Sequence, residues 1–485
     1  MTPDFAPWAA GFARHTLRLR AASAAGLQQL EALFGPYIAH WRLAQQDEGD
    51  HSRDRCWNLR LVFWTFLWQV AQAGAPCREA IRQAQALCRA NGRPLPPDTN
   101  SPYCQARSGL PLERLDEIQG ALLAQADGLL ATKDTWCGRR VRAVDGSSVT
   151  APDTLENQAA FPQPATQKPG CGFPILRLVA LLDLASGLIV AWATGNWFTH
   201  ELGLLQSLWD HLRPGDVLLG DRGFCNWGLI AQCQRRQLDV VFRLKGSRRG
   251  DFRRGQRLSR DERRVRWPKP YAAAWSISAQ EWARLPAELT LRLVRCRLEL
   301  PGFRTRQILL VTTLLDSEKY PPAALGQLYY RRWGMELTLR NIKTTLQMDR
   351  LSCKTPANLE REIRMHFLVH NLVRLLMLQS ARTHLVPLDR LSFAGSLAAA
   401  RRYAEALLQA RSRRCRKQLR ADLLRVLAAD LVPARPGRRE PRAVKRRPKP
   451  YPLLSNHRHR FLEIPHQNRY RIKPAKEPAP SFPEP

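Results

Sequence analysis

Cys-x-x-Cys pairs are absent from this 485-residue chain although it holds 11 cysteines. Their irregular spacing excludes both a zinc module and a secreted disulfide framework. Long apolar runs are missing too. The most hydrophobic stretch, Leu61-Val-Phe-Trp-Thr-Phe-Leu-Trp68, falls well short of the ~20 residues a membrane span requires, so it reads as a buried helix and no membrane partner is expected. No signal-peptide pattern is seen near the start, where Asp4 comes early and Arg14, Arg18 and Arg20 follow, which predicts a cytoplasmic protein. Acids are scarce: 42 Asp and Glu stand against 76 Lys and Arg, a formal net charge of +34.

That imbalance says little about fold and much about partners, because a polyphosphate backbone rewards neutralisation by releasing its counterions. Arginine dominates the basic clusters, and its planar fork suits phosphate. Charge alone fits a nonspecific basic surface equally well. Basic residues are densest from Arg435 to Lys449, with eight Lys or Arg against the single Glu440. From about residue 433 to 485 the chain is proline-rich and lacks helical periodicity, which predicts a disordered basic tail.

What is present is most concentrated between Tyr329 and Lys343, in the run Tyr-Tyr-Arg-Arg-Trp-Gly-Met-Glu-Leu-Thr-Leu-Arg-Asn-Ile-Lys. On one continuous helix, at about 100° per residue, Tyr329, Arg332, Glu336 and Lys343 share a narrow wedge, and Leu328, Met335, Leu339, Ile342 and Leu346 form a separate apolar stripe. Such a helix buries one side and presents an acid, two cations and a phenol along the adjoining edge. Two more acids follow short apolar runs: Asp145 in Val141-Arg-Ala-Val-Asp-Gly-Ser-Ser-Val-Thr150, and Asp221 in Val217-Leu-Leu-Gly-Asp-Arg-Gly-Phe224. Both read as strand-end acids, with Gly146 and Gly223 letting the backbone turn or approach a ligand closely. Asp-Gly by itself more often marks an ordinary hairpin turn. Three carboxylates together suit hard cations such as Mg²⁺, which take oxygen ligands and keep positions for water and phosphate.

The set Asp145-Gly-Ser, Asp221-Arg-Gly-Phe and Tyr329/Arg332/Glu336/Lys343, the last separated by two, three and six residues, resembles the DDE transposases of the bacterial insertion-sequence-four family. The likeness covers roughly residues 50 to 380 and includes Ser101-Pro-Tyr-Cys-Gln-Ala-Arg107 and Cys353-Lys-Thr-Pro356. The resemblance implies an α/β fold with a ribonuclease-H-like mixed-sheet core. Asp145, Asp221 and Glu336 would be the catalytic acids holding two Mg²⁺ ions, with Mn²⁺ a substitute, while Tyr329, Arg332 and Lys343 would bind DNA phosphates. It also implies strand cleavage at the ends of an insertion sequence and strand transfer into target DNA. The DNA partners would be double-stranded terminal repeats and target, handled by a homodimer in the synaptic complex and placed in the bacterial nucleoid. Two alternatives share much of this pattern. A ribonuclease-H-like nuclease without end joining would share the acids, though the Tyr/Arg/Glu/Lys spacing argues against it. An inactive DNA-binding descendant is disfavoured by the presence of all three acids.

Length favours several domains. Residues 1–130 read as helical (Leu27 to Trp41, Trp57 to Ala73, Cys77 to Ala90, Leu112 to Leu130) and, by family likeness, as the DNA-end-binding part. Residues 131–245 read as the first part of the catalytic core: a strand to Asp145, a hairpin within Leu176 to Ala193, then alternating helices and strands to Leu244. A β-rich insertion at 246–318 follows. The second part of the core, 319–382, carries the Tyr/Arg/Glu/Lys helix and a helix opening at Thr355-Pro356. A helical region, 383–432, precedes the tail at 433–485. Trp267, Trp275 and Trp282 are candidate base-stacking platforms in the insertion, though tryptophans in a β-rich segment are more often core. His366 and His370, one turn apart with no acidic or cysteine partner at a recognisable spacing, read as packing or DNA-facing residues rather than metal ligands. Cys225 reads as a small buried residue rather than a nucleophile.

Overall fold

The computed structural model describes residues 29–44, 56–166, 168, 170, 172–245, 250–271, 277–297 and 307–433. The expected tail and Trp275 lie outside the described residues. The amino-terminal part is helical: α1 (Gln29–Phe34), α2 (Leu59–Ala71), α3 (Cys77–Ala90), α4 (Asn100–Ser108) and α5 (Leu112–Leu129). The apolar run noted above lies in α2, where every residue but Arg60 is buried. It starts where the Asn58 side chain accepts from the Leu61 N–H at 3.0 Å, a cap for an otherwise unpaired donor. Among the described residues no helix is long and apolar enough to cross a membrane.

Next come β1 (Val141–Thr150), α6 (Leu155–Ala160), β2 (Ile175–Asp183), β3 (Ile189–Asn196), α7 (Glu201–Gln206), β4 (Val217–Gly220), α8 (Trp227–Arg235), β5 (Asp239–Arg243), β6 (Gln256–Ser259), β7 (Glu262–Pro268), α9 (Ala279–Ala283), β8 (Glu288–Arg297) and β9 (Gln307–Thr312). The strands form one nine-stranded sheet in the order β3-β2-β1-β4-β5-β9-β8-β7-β6. β1 is antiparallel to β2 and parallel to β4, and β4 is parallel to β5, so the sheet is mixed, as the alternating pattern predicts. Strands of the 246–318 segment extend this sheet, with Val241 of β5 opposite Thr312 of β9.

Helices α10 (Pro322–Arg331), α11 (Trp333–Arg340), α12 (Pro356–His384), α13 (Phe393–Gln409) and α14 (Arg413–Ala429) complete the chain. One face of the sheet packs on α10, α11 and part of α12 through Val141, Ala143, Leu328, Met335, Ile363 and Phe367. The other packs on α7 and α8 through Val144, Leu205, Trp227 and Ile230. The opposite side of α12, with Met365, Leu368, Leu372 and Leu376, joins a third core built from α1 to α5, α13 and α14. A helix apolar on two sides is buried on two sides, and α12 thereby couples the amino-terminal helices to the sheet.

Three local expectations are corrected. Asp145 is not at a strand end: β1 stays paired with β2 through Thr150, so the acid sits in mid-strand. Gly146 is correspondingly a strand residue rather than a turn. The Tyr329–Lys343 segment is not one regular helix, since α10 and α11 meet at Arg332 and a π-helical turn, Asn341–Thr345, follows. The wider π-turn rotates Lys343 away from the position that a uniform 100° step assigns it.

His366 and His370 are packing residues, 5% and 0% exposed. His370 Nε2 lies 3.3 Å from the Gly187 carbonyl oxygen, and its ring stacks on Phe393 at 5.1 Å. Burial pushes their pKa values down, to about 4 for His366 and about 3 for His370. Below the ordinary value near 6.5 the unfolded chain therefore takes up protons that the folded chain refuses. Stability is expected to be flat above that pH and to fall below it by up to ~1.4 kcal/mol per pH unit per histidine until the folded values are reached. Urea unfolding from pH 7 to pH 5 checks this with wild type and His370→Asn. A slope unchanged by the substitution would mean that His370 is not held neutral.

Candidate active site

The site forms where β1 outlasts its neighbour. β4 pairs only with Val141 to Ala143, whereas β1 continues to Thr150, which leaves the β1 edge from Asp145 onward without a β4 partner. Asp221 is the first residue after β4 and lies at this opening. Its carboxylate Oδ1 accepts from the Gly223 N–H at 2.7 Å, which fixes the tight turn. A Cβ at Gly223 would stand 3.0 Å from that oxygen, so the turn favours glycine for space.

Asp145 points to the α11 face of the sheet. Its Oδ1 accepts from the Gly146 N–H at 2.9 Å, and its Oδ2 lies 3.8 Å from Arg332 Nη1. Glu336, in the first turn of α11, accepts from Arg332 Nη2 at 2.5 Å. One guanidinium thus stands between two of the three acids. Its side chain is only 12% exposed, and its Nε finds no partner among the described residues. Tyr329 packs beneath it, with the Arg332 Cζ 5.5 Å from the ring. Burial raises the Tyr329 pKa, opposed by the charge of Arg332. Asp145 is raised to about 6, first by burial, against the pull of Arg332 and the Gly146 N–H, with Asp221 and Glu336 adding to the rise. Asp145 and Glu336 thus share Arg332, and Asp221 follows β4 at the neighbouring opening.

Lys343 is anchored on the strand: its Nζ donates to Ser147 Oγ at 3.2 Å and to the Ser148 carbonyl at 2.7 Å. Just beyond the π-turn, the Thr150 N–H donates to the Asp349 carbonyl at 3.1 Å and the Leu351 N–H donates to the Thr150 carbonyl at 2.9 Å. The segment carrying Glu336 and Lys343 is therefore tied to the strand carrying Asp145.

The aromatic candidates do not gather here. Trp282 packs on Trp227 at 5.4 Å, and the Trp267 carbonyl accepts from the Trp227 indole N–H at 3.0 Å. Both are partly buried against the α8 core. Cys225 is buried, 3% exposed, in the same core.

Sequence reasoning missed Glu201. This residue opens α7 and lays its carboxylate against Gly146, so close that a Cβ there would stand 2.3 Å from its Cδ and Oε1. No spacing rule marks Glu201. The available signal was a glycine directly after a strand acid, which is a mark of close approach when no turn follows.

An all-oxygen donor set of three acids suits a hard divalent cation. Asp145 is raised chiefly by burial, and a cation beside it would favour its charged form. Among the described residues no three acid, histidine or cysteine side chains are already gathered into an ion-holding group; Arg332 is drawn in between two of the acids instead.

Residues 136–372, which contain all three acids and the Tyr/Arg/Glu/Lys set, match the family described as Transposase DDE domain. The class is thus a DDE transposase. The chain is 28% identical over 408 residues to Transposase InsG for insertion sequence element IS4 from Escherichia coli (strain K12), covering 82% of this chain and 88% of that protein. It belongs to the DDE transposases of the insertion-sequence-four family. A solved structure titled as a piggyBac transposase synaptic complex with hairpin DNA covers 82% of this chain and 84% of its own, at 11% identity and a TM-score of 0.38.

Arg332→Ala leaves Asp145 and Glu336 without their shared cation and is expected to cost about 2 kcal/mol of stability, read by urea unfolding in the presence of chelator. Adding Glu336→Gln should recover a large part of that loss, because one of the unpaired charges is gone. Equal losses in the single and double variants would show that the pairing contributes nothing.

Proposed function

We propose that Asp145, Asp221 and Glu336 are the catalytic acids of a metal-dependent transposase that cleaves DNA at the ends of its insertion sequence and transfers the liberated ends into target DNA. The observation that carries this reading is the bridging of Asp145 and Glu336 by Arg332 at the edge of β1 that β4 leaves open, with Asp221 the first residue after β4. In this reading the strands β1 to β5 with their flanking helices are a ribonuclease-H-like core.

Two Mg²⁺ ions, with Mn²⁺ as a substitute, would supply the chemistry that lowers the pKa of a water or hydroxyl and stabilises the leaving oxygen. The chain's own residues do the positioning. Asp145 and Glu336 approach from one face of the sheet, and Asp221 from the opening where β4 ends. Arg332, set between Asp145 and Glu336, has a fork that would suit a phosphate near the scissile bond. Lys343 keeps the register between β1 and the α11 segment and lies within reach of the same backbone. Tyr329 supports the Arg332 guanidinium from below. Catalysis on this scaffold is chiefly orientation and charge stabilisation.

Double-stranded DNA is the partner, both the terminal repeats of the element and the target, and a homodimer would hold two ends together. By family likeness, end recognition is assigned to the helical region of residues 1–130. A charge of +34 fits a protein that resides on nucleoid DNA in the cytoplasm. The remaining basic segment, 433–485, would add sequence-independent affinity.

The test is cleavage of a DNA fragment bearing the flanking repeats, with Mg²⁺ or Mn²⁺. Asp221→Asn and Glu336→Gln should each reduce cutting on the order of a thousandfold while retention of the fragment in a gel-shift assay stays near wild type. Cutting that persists in either variant, or without metal, sinks the assignment. Tight binding with no cutting in wild type would indicate a DNA-binding descendant, and cutting without joined products a nuclease.

A further inference from the structure

We propose that a basic cavity at the end of the sheet where β1 begins, with Arg374 at its base and Lys133 and Arg331 at its rim, is a second DNA phosphate site, separate from the acids at the open edge of β1; this rests on the reading of the chain as a transposase that acts on DNA. The cavity, about 400 Å³ in volume, lies between α12, the end of α10, the β2–β3 turn and the loop after α12. Lys133, Arg331, Arg374 and Arg382 line it against two acids, Asp134 and Asp389. Lys133 and Arg331 are exposed, whereas Arg374 is partly buried.

The adjoining cavity, which shares Asp134, Leu184, Ala185 and Arg331, shows the contrast. Its arginines have acids: Arg139 Nη2 lies 2.6 Å from Asp239 Oδ2, and Arg140 pairs with Asp127. Asp134 in turn is taken by Arg382. Among the described residues that leaves Lys133, Arg331 and Arg374 with no acid within ion-pair distance, the charge of Asp389 acting on Arg374 without pairing with it. Arg374 is nevertheless held in place. It lies against the β2–β3 turn, where Gly187 has a φ of +73° and a Cβ would overlap the guanidinium. Its Nη2 donates to the Ser186 carbonyl at 3.3 Å, its Nη1 reaches the Met377 thioether at 4.0 Å, and its buried Nε has no partner among the described residues. None of these neighbours is an anion. Burial lowers its pKa to about 10, which still leaves it charged at neutral pH. A guanidinium enclosed without a counter-charge is costly, and a neutral side chain would pack the turn at lower cost. The retained cation therefore points to an anion that arrives from outside.

The chemistry selects a phosphate of the DNA backbone. A guanidinium fork beside an ammonium suits phosphate oxygens. No aromatic side chain lines the cavity, so a nucleotide base finds no ring to stack on. Backbone contacts of this kind add affinity and carry no sequence information. Arg331, one residue before Arg332, donates to the Leu184 carbonyl at 3.3 Å, which joins the cavity to the helix that carries Tyr329. The Leu184 N–H donates to the Val141 carbonyl at 3.0 Å, and Val141 precedes Asp145 by roughly 13 Å of strand. At about 3.4 Å per nucleotide along each strand of a duplex, a single DNA molecule is long enough to reach both places.

Binding of the full-length protein to duplex DNA tests the site apart from cleavage, read by fluorescence anisotropy in chelator between roughly 50 and 200 mM salt. Arg374→Gln should lower the slope of log affinity against log salt by about 1, and Lys133→Gln combined with Arg331→Gln by about 2. Both losses should be the same on a duplex bearing the flanking repeats and on an unrelated one. Inorganic phosphate is the second probe: at matched ionic strength it should raise the melting temperature of wild type more than that of Arg374→Gln. A wild-type slope in both variants overturns the proposal, as does a loss confined to the repeat-bearing duplex, which would mean base reading. Phosphate stabilisation that Arg374→Gln abolishes, with an unchanged DNA slope, gives the cavity to a free anion and overturns its assignment to DNA. If wild type binds neither duplex, the proposal falls together with the reading of the chain as a DNA transposase. Should Arg374→Gln not fold, the rim variant decides: a slope lowered by about 2 supports the site and an unchanged slope refutes it.

Discussion

Negative charge crowded at the unpaired edge of β1 is the constraint around which this fold is organised. Carboxylates in one half-buried neighbourhood cannot all stay ionised unless something positive is placed among them. Asp145, raised to about 6 chiefly by burial, shows that the protein's own provision falls short of full compensation. Arg332 supplies part of it by bridging Glu336 and Asp145. The Arg332 charge is in turn sustained by the same neighbours: burial works against it, and Tyr329, Glu336 and Asp145 together more than offset that. The arrangement is reciprocal, so neither the acids nor the guanidinium can be understood apart.

Holding such a constellation requires that elements distant in sequence keep their register. Lys343 and the Thr150 bridges to Asp349 and Leu351 fasten the α11 segment to β1. Upstream of α10, the fully buried Arg292 pairs with Glu262 and donates to the Leu314, Asp316 and Tyr320 carbonyls, the last at 2.9 Å. A buried ion pair is weak evidence for net stability, but this one fixes where the sheet hands the chain to the helix that carries Tyr329. On the far side, Asn371 of α12 accepts from the Ile189 N–H at 2.9 Å and donates to the Ile189 carbonyl at 2.8 Å, which ties the long helix to β3.

Much of this was legible in the residues. The spacing of Tyr329, Arg332, Glu336 and Lys343 and the apolar runs before Asp145 and Asp221 singled out the residues proposed for the site, and the alternation of strands and helices after a meander predicted the mixed sheet that is seen. The errors have physical causes. An apolar run ended at Asp145, yet the strand did not, because a strand is defined by its pairing and β2 continues to pair with polar Gly146, Ser147 and Ser148. The uniform helical wheel of 329–343 failed at a π-turn, which has no composition signature of its own. Glu201 was invisible because its partner is a glycine's missing side chain, and local sequence cannot say what fills a space left by a distant strand. That the amino-terminal helices share one core with α12 to α14 is a long-range fact of the same kind.

The contrast between the whole molecule and its centre bears on how DNA is engaged. A net charge of +34 attracts a polyanion from solution, but at physiological salt that attraction fades beyond about 8 Å from each exposed charge. Near the open edge of β1 the local field is different, since Asp145 and Glu336 share one guanidinium there and Asp221 follows where β4 ends, so an approaching polyanion meets like charge. Surface arginines can therefore concentrate DNA on the protein without seating a scissile phosphate against the acids. Seating it requires positive charge inside the cleft. Arg332 can face the acids or a phosphate, but one guanidinium cannot fully neutralise both at once. On the proposed reading of these acids, cation loading and productive DNA placement would be two halves of one equilibrium.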